Sequence, residues 1–393
     1  MIYIVVFLLL LIPVVRYDWM VKAGGEKGWY YFNLLVLILF AGLRYRIGGD
    51  TLLYMGMFEE CPKLQDLKYF DFASAQYNPL WYILNGLSRS IYDDFFLFQL
   101  IHAFIVNVSF FHFFRKYCPR YYFTAILLYY IGYFCYFNME VLRESLCVSV
   151  LLWATTFLLS RRWVPYYALC LIALLLHYSA AIMLLFPFLY IFKRPSCLWE
   201  IVILVVVVVC MSVVNLPVLL LEMFGINEQL TTLISVYMDD QRNIVGIISE
   251  FLNYLPILVC IWVRERYGIV EDRDFTFIVM GTVVVYGLAM NLGILNRFIN
   301  YFVPFIIVYV VNTIYRVLSW EFRQRQVSFV ACLCALLLYN FNLIRFYTSD
   351  LSDVYPGTRA YVKYHPYHSV LDKEIDEHRE RFIENYRDIS IQF

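Results

Sequence analysis

From residue 94 to residue 214 the chain is a succession of long apolar runs, interrupted by short basic loops such as RKYCPR, SRRW and KRPS and by short polar turns between them. A helix needs roughly 17–25 mostly apolar residues to cross the hydrocarbon of a bilayer. Lipid offers the backbone no water, so a spanning segment must satisfy its own N–H and C=O groups, as a helix does. Apolar residues make up 62% of the 393 and charged residues 16%, whereas soluble domains carry about 45–50% and about 25%. A water-soluble core of this size could not hide the excess. The predicted fold class is therefore all-α, a polytopic transmembrane helical bundle.

Charge and cysteine content remove other classes. The 31 basic and 31 acidic residues cancel, so the basic excess of a nucleic-acid-binding surface is missing and no nucleic-acid partner is expected. Most of the ten cysteines sit in apolar runs, where Cys behaves as a small core residue. Cys332 and Cys334 point in different directions on a helix, and no Cys/His group has metal-ligand spacing. No metal site and no cofactor are expected, although Asp50 could ligate a divalent cation.

Apolar runs mark about twelve spans, at 2–15, 29–43, 94–114, 121–137, 142–160, 163–177, 178–192, 199–217, 247–263, 275–293, 298–315 and 328–345. The opening MIYIVVFLLLLIPVV lacks the basic start and small-residue cleavage site of a signal peptide, and is expected to be a retained helix. Basic residues gather in alternate short loops, at Arg115, Lys116 and Arg120, at Arg161 and Arg162, at Lys193 and Arg194, and at Arg264, Arg266 and Arg273. By the positive-inside rule these loops face the cytoplasm, which puts both termini outside. The assignment holds only if YNPLWYILNGLSRSI does not cross, so residues 78–91 are expected to form an outer juxtamembrane helix.

Two domains follow from this reading. Residues 1–347 form the transmembrane domain, with an outer segment at 44–92. Residues 348–393 form a charged tail, in which Leu371, Ile375, Phe382, Tyr386 and Ile389 recur at helical spacing. That tail is expected to be an amphipathic surface helix packed against the membrane face.

Ionisable residues at membrane depth are costly and tend to be paired or functional. On this topology four groups reach the outer level of the bilayer. They are Arg44, Arg46 and Asp50 after the second span; Glu140, Arg143 and Glu144 at the start of the fifth; His177 at the turn between the sixth and seventh; and Arg297, with Asn296 and Asn300, at the start of the eleventh. Each has a structural alternative. Arg44 and Arg46 could snorkel to headgroups, Glu140 and Glu144 could pair with Arg143 along the helix, His177 could be a satisfied turn residue, and Arg297 a helix-end anchor. His102, Asn107, Asn215 and Asn312, inside spans, are expected to make interhelical hydrogen bonds, and the acidic loop 222–246 to be solvated.

Convergent arginines suit phosphate, because guanidinium binds it in bidentate fashion and keeps its charge when dehydrated. The diphosphate of a lipid-linked glycan is the anion a polytopic protein meets at this level. Arg44, Arg143 and Arg297 would hold it and offset charge on the leaving group, while Asp50 or His177 took a proton from a sugar hydroxyl.

The stretch FAGLRYRIGGDTLLY, followed by NMEVLRE, LLLHYSA and NRFINYF, resembles the EpsG family of membrane proteins over most of residues 29–310. Gly49 and Thr51 flank Asp50 where that family often has Thr or Ser before the Asp and an aromatic after it, and Glu144 follows Arg143 where Gln is frequent. The resemblance implies a GT-C-like bundle and a Wzy-like polysaccharide polymerase of the bacterial cytoplasmic membrane, with Asp50 in the active site and PLWY at 79–82 opening the juxtamembrane helix. Its substrate would be a polyprenyl-diphosphate-linked oligosaccharide, polymerised into exopolysaccharide, capsule or O-antigen. A flippase and a chain-length regulator would be its partners, alongside membrane lipid. The rival class is a non-catalytic transporter or flippase of lipid-linked glycans, which should carry charges along a central cavity on both sides of the midplane.

Overall fold

The computed structural model describes residues 2–72, 75–192, 194–214, 244–269, 275–289, 295–319, 348, 351 and 358–392. Among them there is helix and no strand, and one isolated antiparallel bridge joins Arg44 to Ser369. The chain divides into two compact units. The first comprises Met1–Leu185 with Arg345–Ile389, the second Phe186–Ile344 with Ser390–Phe393.

In the first unit α1 (Ile2–Pro13) runs on as a π-helical turn, Val14–Trp19, and α2 (Glu26–Gly42) follows. Two short helices, α3 (Thr51–Glu60) and α4 (Pro79–Ile91), fill the expected outer segment. Then come α5 (Phe95–Tyr117), α6 (Tyr122–Gly132), a π-helical turn at Tyr136–Glu140, α7 (Leu142–Leu159) and α8 (Trp163–Leu174). A 3-10 helix, Tyr178–Ile191, begins in this unit and ends in the second.

Helix α5 is the axis of the first unit and packs on α2, α4, α6 and α7. Close approach to α2 depends on Gly42, where a Cβ would come within 2.7 Å of Leu100 Cδ1. Buried polar groups then fix the helices against one another. His102 Nε2 lies 2.8 Å from Ser145 Oγ of α7, and Asn107 Nδ2 donates to Asn138 Oδ1 at 2.8 Å. Asn138 Nδ2 in turn donates to the Tyr129 hydroxyl at 2.8 Å. These are the interhelical bonds expected of His102 and Asn107.

Among the described residues three helical runs are each long and apolar enough to cross a bilayer, namely Ile2–Trp19, Phe95–Tyr117 and Leu142–Leu159. Others, such as Tyr122–Gly132 and Trp163–Leu174, are apolar but shorter. At 1.5 Å per residue α4 is about 20 Å long, short of a hydrocarbon core of about 30 Å. Large apolar side chains stay on the outside, with Leu171 61%, Phe104 54% and Leu185 53% exposed. In water that surface would be a standing cost. Against lipid it is the ordinary outer face of a membrane protein, and this chain is one.

The second unit holds α9 (Cys197–Val214), α10 (Ile244–Arg266), α11 (Thr276–Ala289), the single turn α12 (Asn296–Ile299) and α13 (Val303–Leu318). Helix α11 meets α9 at Gly287, where a Cβ would lie 2.7 Å from Val207 Cγ1. Buried Arg264 of α10 donates from Nε to Thr313 Oγ1 of α13 at 2.6 Å. Asn215, the span expected at 328–345 and most of the acidic loop at 222–246 lie outside the described residues.

The tail departs from its expected form. Its helix, α14 (Glu377–Gln392), starts later than the apolar spacing indicated, and Leu371 and Ile375 precede it, 84% and 55% exposed. Phe382, Ile383 and Arg379 are buried against the first unit. Arg379 donates from Nε to the Val362 carbonyl at 3.0 Å, and its Nη1 reaches the Arg46 carbonyl at 3.4 Å. Tyr367 stacks on Phe40 with centroids 4.9 Å apart and donates its hydroxyl proton to the Phe40 carbonyl at 2.9 Å. The tail is thus a folded part of the unit, held by protein contacts.

Candidate active site

The loop after α2 is built by backbone bonds to the tail. Tyr45 N–H donates to the His368 carbonyl at 2.9 Å, and Val370 N–H to the Leu43 carbonyl at 2.8 Å. Between them Arg44 is fully buried, with Nη1 on the Ala41 carbonyl at 2.6 Å and Nε on the Ile47 carbonyl at 3.2 Å. Its guanidinium therefore ties the end of α2 to the loop that follows. Arg46 has φ +53° and pairs with Glu380 of α14. The hydrogen bond to that carboxylate holds Arg46 above its ordinary range.

Two glycines then bring the loop against the π-helical turn before α7. Gly48, at φ +112°, donates its N–H to the Lys363 carbonyl at 3.0 Å and packs on the Met139 carbonyl. A positive φ with a close neighbour is the setting that glycine tolerates and other residues do not. Gly49 sits beside Glu140, and a Cβ there would meet Glu140 Oε1 at 3.2 Å and Lys363 Cδ at 3.6 Å. Thr51 Oγ1 adds a bond to the Ile47 carbonyl at 2.6 Å. Asp50, exposed at the N-cap of α3, makes no side-chain cap bond to that helix.

The structure therefore brings the Arg44–Asp50 group to the Glu140–Glu144 group. The Glu140 carboxylate faces Lys363 Nζ at 3.7 Å. Tyr364 also bonds this carboxylate; desolvation first, and then the Glu140 charge, push its phenol well above the ordinary value. Arg143 is half-buried, and its guanidinium carbon lies 4.4 Å from the centroid of the Tyr77 ring. Among the described residues it has no ion-pair partner, and its buried Nε has no hydrogen-bond partner. Glu144 is buried one residue further into α7.

His177 follows α8 and is half-buried. Its Nδ1 lies 2.7 Å from Ser179 Oγ and accepts the Ser179 backbone N–H at 3.1 Å. A backbone N–H can only donate, so Nδ1 carries a lone pair and the neutral ring keeps its proton on Nε2. The start of α4 is fixed to the same end of α8. Asn78 Nδ2 donates to the Leu174 carbonyl at 2.8 Å and Leu80 N–H to the Leu175 carbonyl at 2.9 Å. The Tyr77 that stacks on Arg143 is therefore tethered three residues before His177.

The EpsG family profile matches residues 27–364, most of the chain. The chain belongs to the EpsG family. Membership links it to polysaccharide biosynthesis. No curated protein and no solved structure matches it.

The EpsG match covers the glycine loop, Arg143 and His177, and ends just past Lys363. It also covers Arg297, which is exposed on α12 of the second unit, with Asn296 half-buried beside it and Asn300 buried. Lys363, Tyr364 and Tyr77 were not among the residues singled out from the sequence. Tyr77 had a local signal, since it precedes the Asn-Pro that opens α4. Lys363 and Tyr364 had none, because only tertiary docking of the tail brings them to Glu140. Among the described residues no three His, Cys, Asp or Glu side chains gather as a metal site would require.

Proposed function

We propose that this EpsG protein is a membrane glycosyltransferase that joins lipid-linked oligosaccharide repeat units on the outer face of the bacterial cytoplasmic membrane. Its product is an exopolysaccharide, capsule or O-antigen chain, and its fold is a GT-C-like bundle of about twelve spans. The observation that carries the reading is Arg143. A half-buried guanidinium, placed over an aromatic ring and with no ion pair among the described residues, keeps its planar donors for an incoming anion. The diphosphate of a polyprenyl-linked glycan fits that donor set.

In the reaction an acceptor hydroxyl attacks the anomeric carbon of the donor repeat unit. The C–O bond to the diphosphate breaks, polyprenyl diphosphate leaves with the electron pair, and the hydroxyl proton passes to Asp50. Arg143 offsets the charge on the departing diphosphate. His177, whose neutral ring has its proton on Nε2, donates a hydrogen bond that positions the acceptor. Arg44 and Arg46 shape the loop that carries Asp50, and Arg297, Asn296 and Asn300 are glycan- or diphosphate-binding candidates of the second unit. A flippase supplies the substrate and a chain-length regulator acts on the product.

Polymer length in cells carrying Arg143→Lys tests the reading. The expected result is loss of polymer at normal protein level, with single repeat units accumulating on their lipid outside the membrane. Accumulation on the cytoplasmic side instead would favour a flippase.

A further inference from the structure

Phe70, Phe72, Tyr77 and Tyr82 form a chain of rings on the outer segment, and none of them belongs to the reacting groups above. Phe70 and Tyr82 have centroids 4.7 Å apart, Phe70 and Phe72 5.2 Å, and Tyr77 and Tyr82 6.2 Å. The chain ends on the Arg143 guanidinium, which covers part of the Tyr77 ring. Phe72 is 38% exposed, and the other three rings are half-buried. A packing core would close such rings off, whereas here part of each stays open.

The rings are also held in place from both sides. Asn78 and Leu80 bond the end of α8, as described above. On the other flank Arg89 of α4 donates to the Glu59 carbonyl at 2.6 Å and to that of Cys61. Leu64 N–H donates to Ser90 Oγ at 2.8 Å. Preorganised rings lose little freedom on binding, which is what a recognition surface needs.

We infer that Phe72 and Tyr82, whose rings stand at 83° to each other and connect through Tyr77 to Arg143, form a stacking platform for the sugar rings of the lipid-linked repeat unit. The inference rests on the polymerase reading and deepens it by assigning the glycan subsite. The negative π face of an aromatic ring attracts the slightly positive C–H face of a pyranose. A lipid-linked glycan has such a ring next to its diphosphate, so one substrate would engage the guanidinium and the rings together. An interfacial aromatic belt, the alternative for rings at a membrane surface, anchors to headgroups and has no need of a guanidinium at one end.

The test uses the purified full-length protein in nanodiscs and two probes. One is lipid-linked repeat units extracted from cells lacking this protein, the other polyprenyl diphosphate without sugar. Phe72→Leu and Tyr82→Leu are expected to weaken binding of the first probe about tenfold, the loss of one good stacking contact. Binding of the second should stay within about twofold of wild type, and Tyr82→Phe, which keeps the ring, should bind both normally. Equal losses on both probes, or no loss on either, would overturn the platform and leave the rings as anchors. If the wild-type protein binds neither probe, the polymerase reading itself falls, an outcome distinct from an unselective loss in the variants. Phe72→Leu, at an exposed ring, guards against a fold defect in the Tyr82 variant.

Discussion

The carbonyl oxygen of Met139 lies 2.0 Å from the point where a Cβ on Gly48 would sit. Gly48 also has φ +112°, a conformation that L side chains rarely adopt. Gly48→Ala must therefore move the loop or the π-helical turn, and should cost about 2–3 kcal/mol. At Gly49 the nearest atom to an added Cβ is the flexible end of Glu140, at 3.2 Å. Gly49→Ala should stay within about 1 kcal/mol of wild type. Thermal unfolding in detergent checks both, and equal melting temperatures for the two variants would refute the tight loop–turn contact.

Arg44 and Arg143 look alike in sequence, each an arginine at the outer end of an apolar helix, but they should fail differently. Arg44→Lys loses the fork shared between the Ala41 and Ile47 carbonyls. It should lower stability by about 2 kcal/mol and reduce the amount of protein in the membrane. On the proposed role in substrate binding, Arg143→Lys should accumulate normally and make no polymer, because the buried Nε of Arg143 has no hydrogen-bond partner among the described residues. Quantitative blots beside polymer gels separate the two. Low levels of the Arg143 variant with intact specific activity would reverse the assignment.

For proton transfer, Asp50→Asn keeps shape and removes basicity. It should abolish polymer while single lipid-linked repeat units accumulate, and His177→Gln should retain partial activity. The Ser179 N–H donated to His177 Nδ1 occupies the lone pair a base would use, which ranks the imidazole second. Should Asp50→Asn polymerise normally and His177→Gln be dead, the imidazole would take over as base through a different tautomer.

How far residue order led to these roles depends on the range of the forces involved. Helices α5 and α7 were legible because a long apolar run between basic loops has one stable solution in lipid. The meeting of the glycine loop with Glu140 was anticipated only as a shared depth in the bilayer. The contact itself rests on two glycines whose φ and neighbours arise from tertiary packing. The bonds of Arg44 to the Ala41 and Ile47 carbonyls likewise have no signal in the residue order. A buried structural guanidinium and a phosphate ligand have the same sequence context, and what separates them is the tail bonding at Leu43 and Tyr45. The amphipathic spacing of the tail fits a membrane-surface helix. Its buried face meets protein, at Phe382 and Arg379, and amphipathicity does not distinguish protein from lipid.

Because the tail bonds to the loop after α2, both must lie on one side of the membrane. Tyr69, 80% exposed, and Leu371, 84% exposed, report on the two segments. Tyr69→Cys and Leu371→Cys should react together with a membrane-impermeant maleimide in intact cells. Labelling of one only would break the docking of the tail. Labelling of both only after permeabilisation would put the site on the cytoplasmic side and remove the outer-face reaction.

Arg379 is the residue on which the tail turns. It is buried and spans the Val362, Pro366 and Arg46 carbonyls. Arg379→Met leaves those acceptors without their donor, and should destabilise the first unit by about 3 kcal/mol or more. Limited proteolysis should then cut the tail, which stays protected in the wild-type protein. A variant as resistant as wild type would mean that the tail is held by its apolar contacts alone.

Glycosyl transfer by this protein can be measured by reconstitution. The purified full-length protein in nanodiscs is mixed with lipid-linked repeat units, and both glycan length and free polyprenyl diphosphate are followed. Nanodiscs allow no transport between compartments, so a lengthened glycan can come only from bond formation. One polyprenyl diphosphate should be released for each repeat unit joined, with neither product formed by Asp50→Asn. Repeat units left unjoined by the wild-type protein in nanodiscs, but carried across the bilayer when the same preparation is placed in sealed liposomes, would contradict glycosyl transfer.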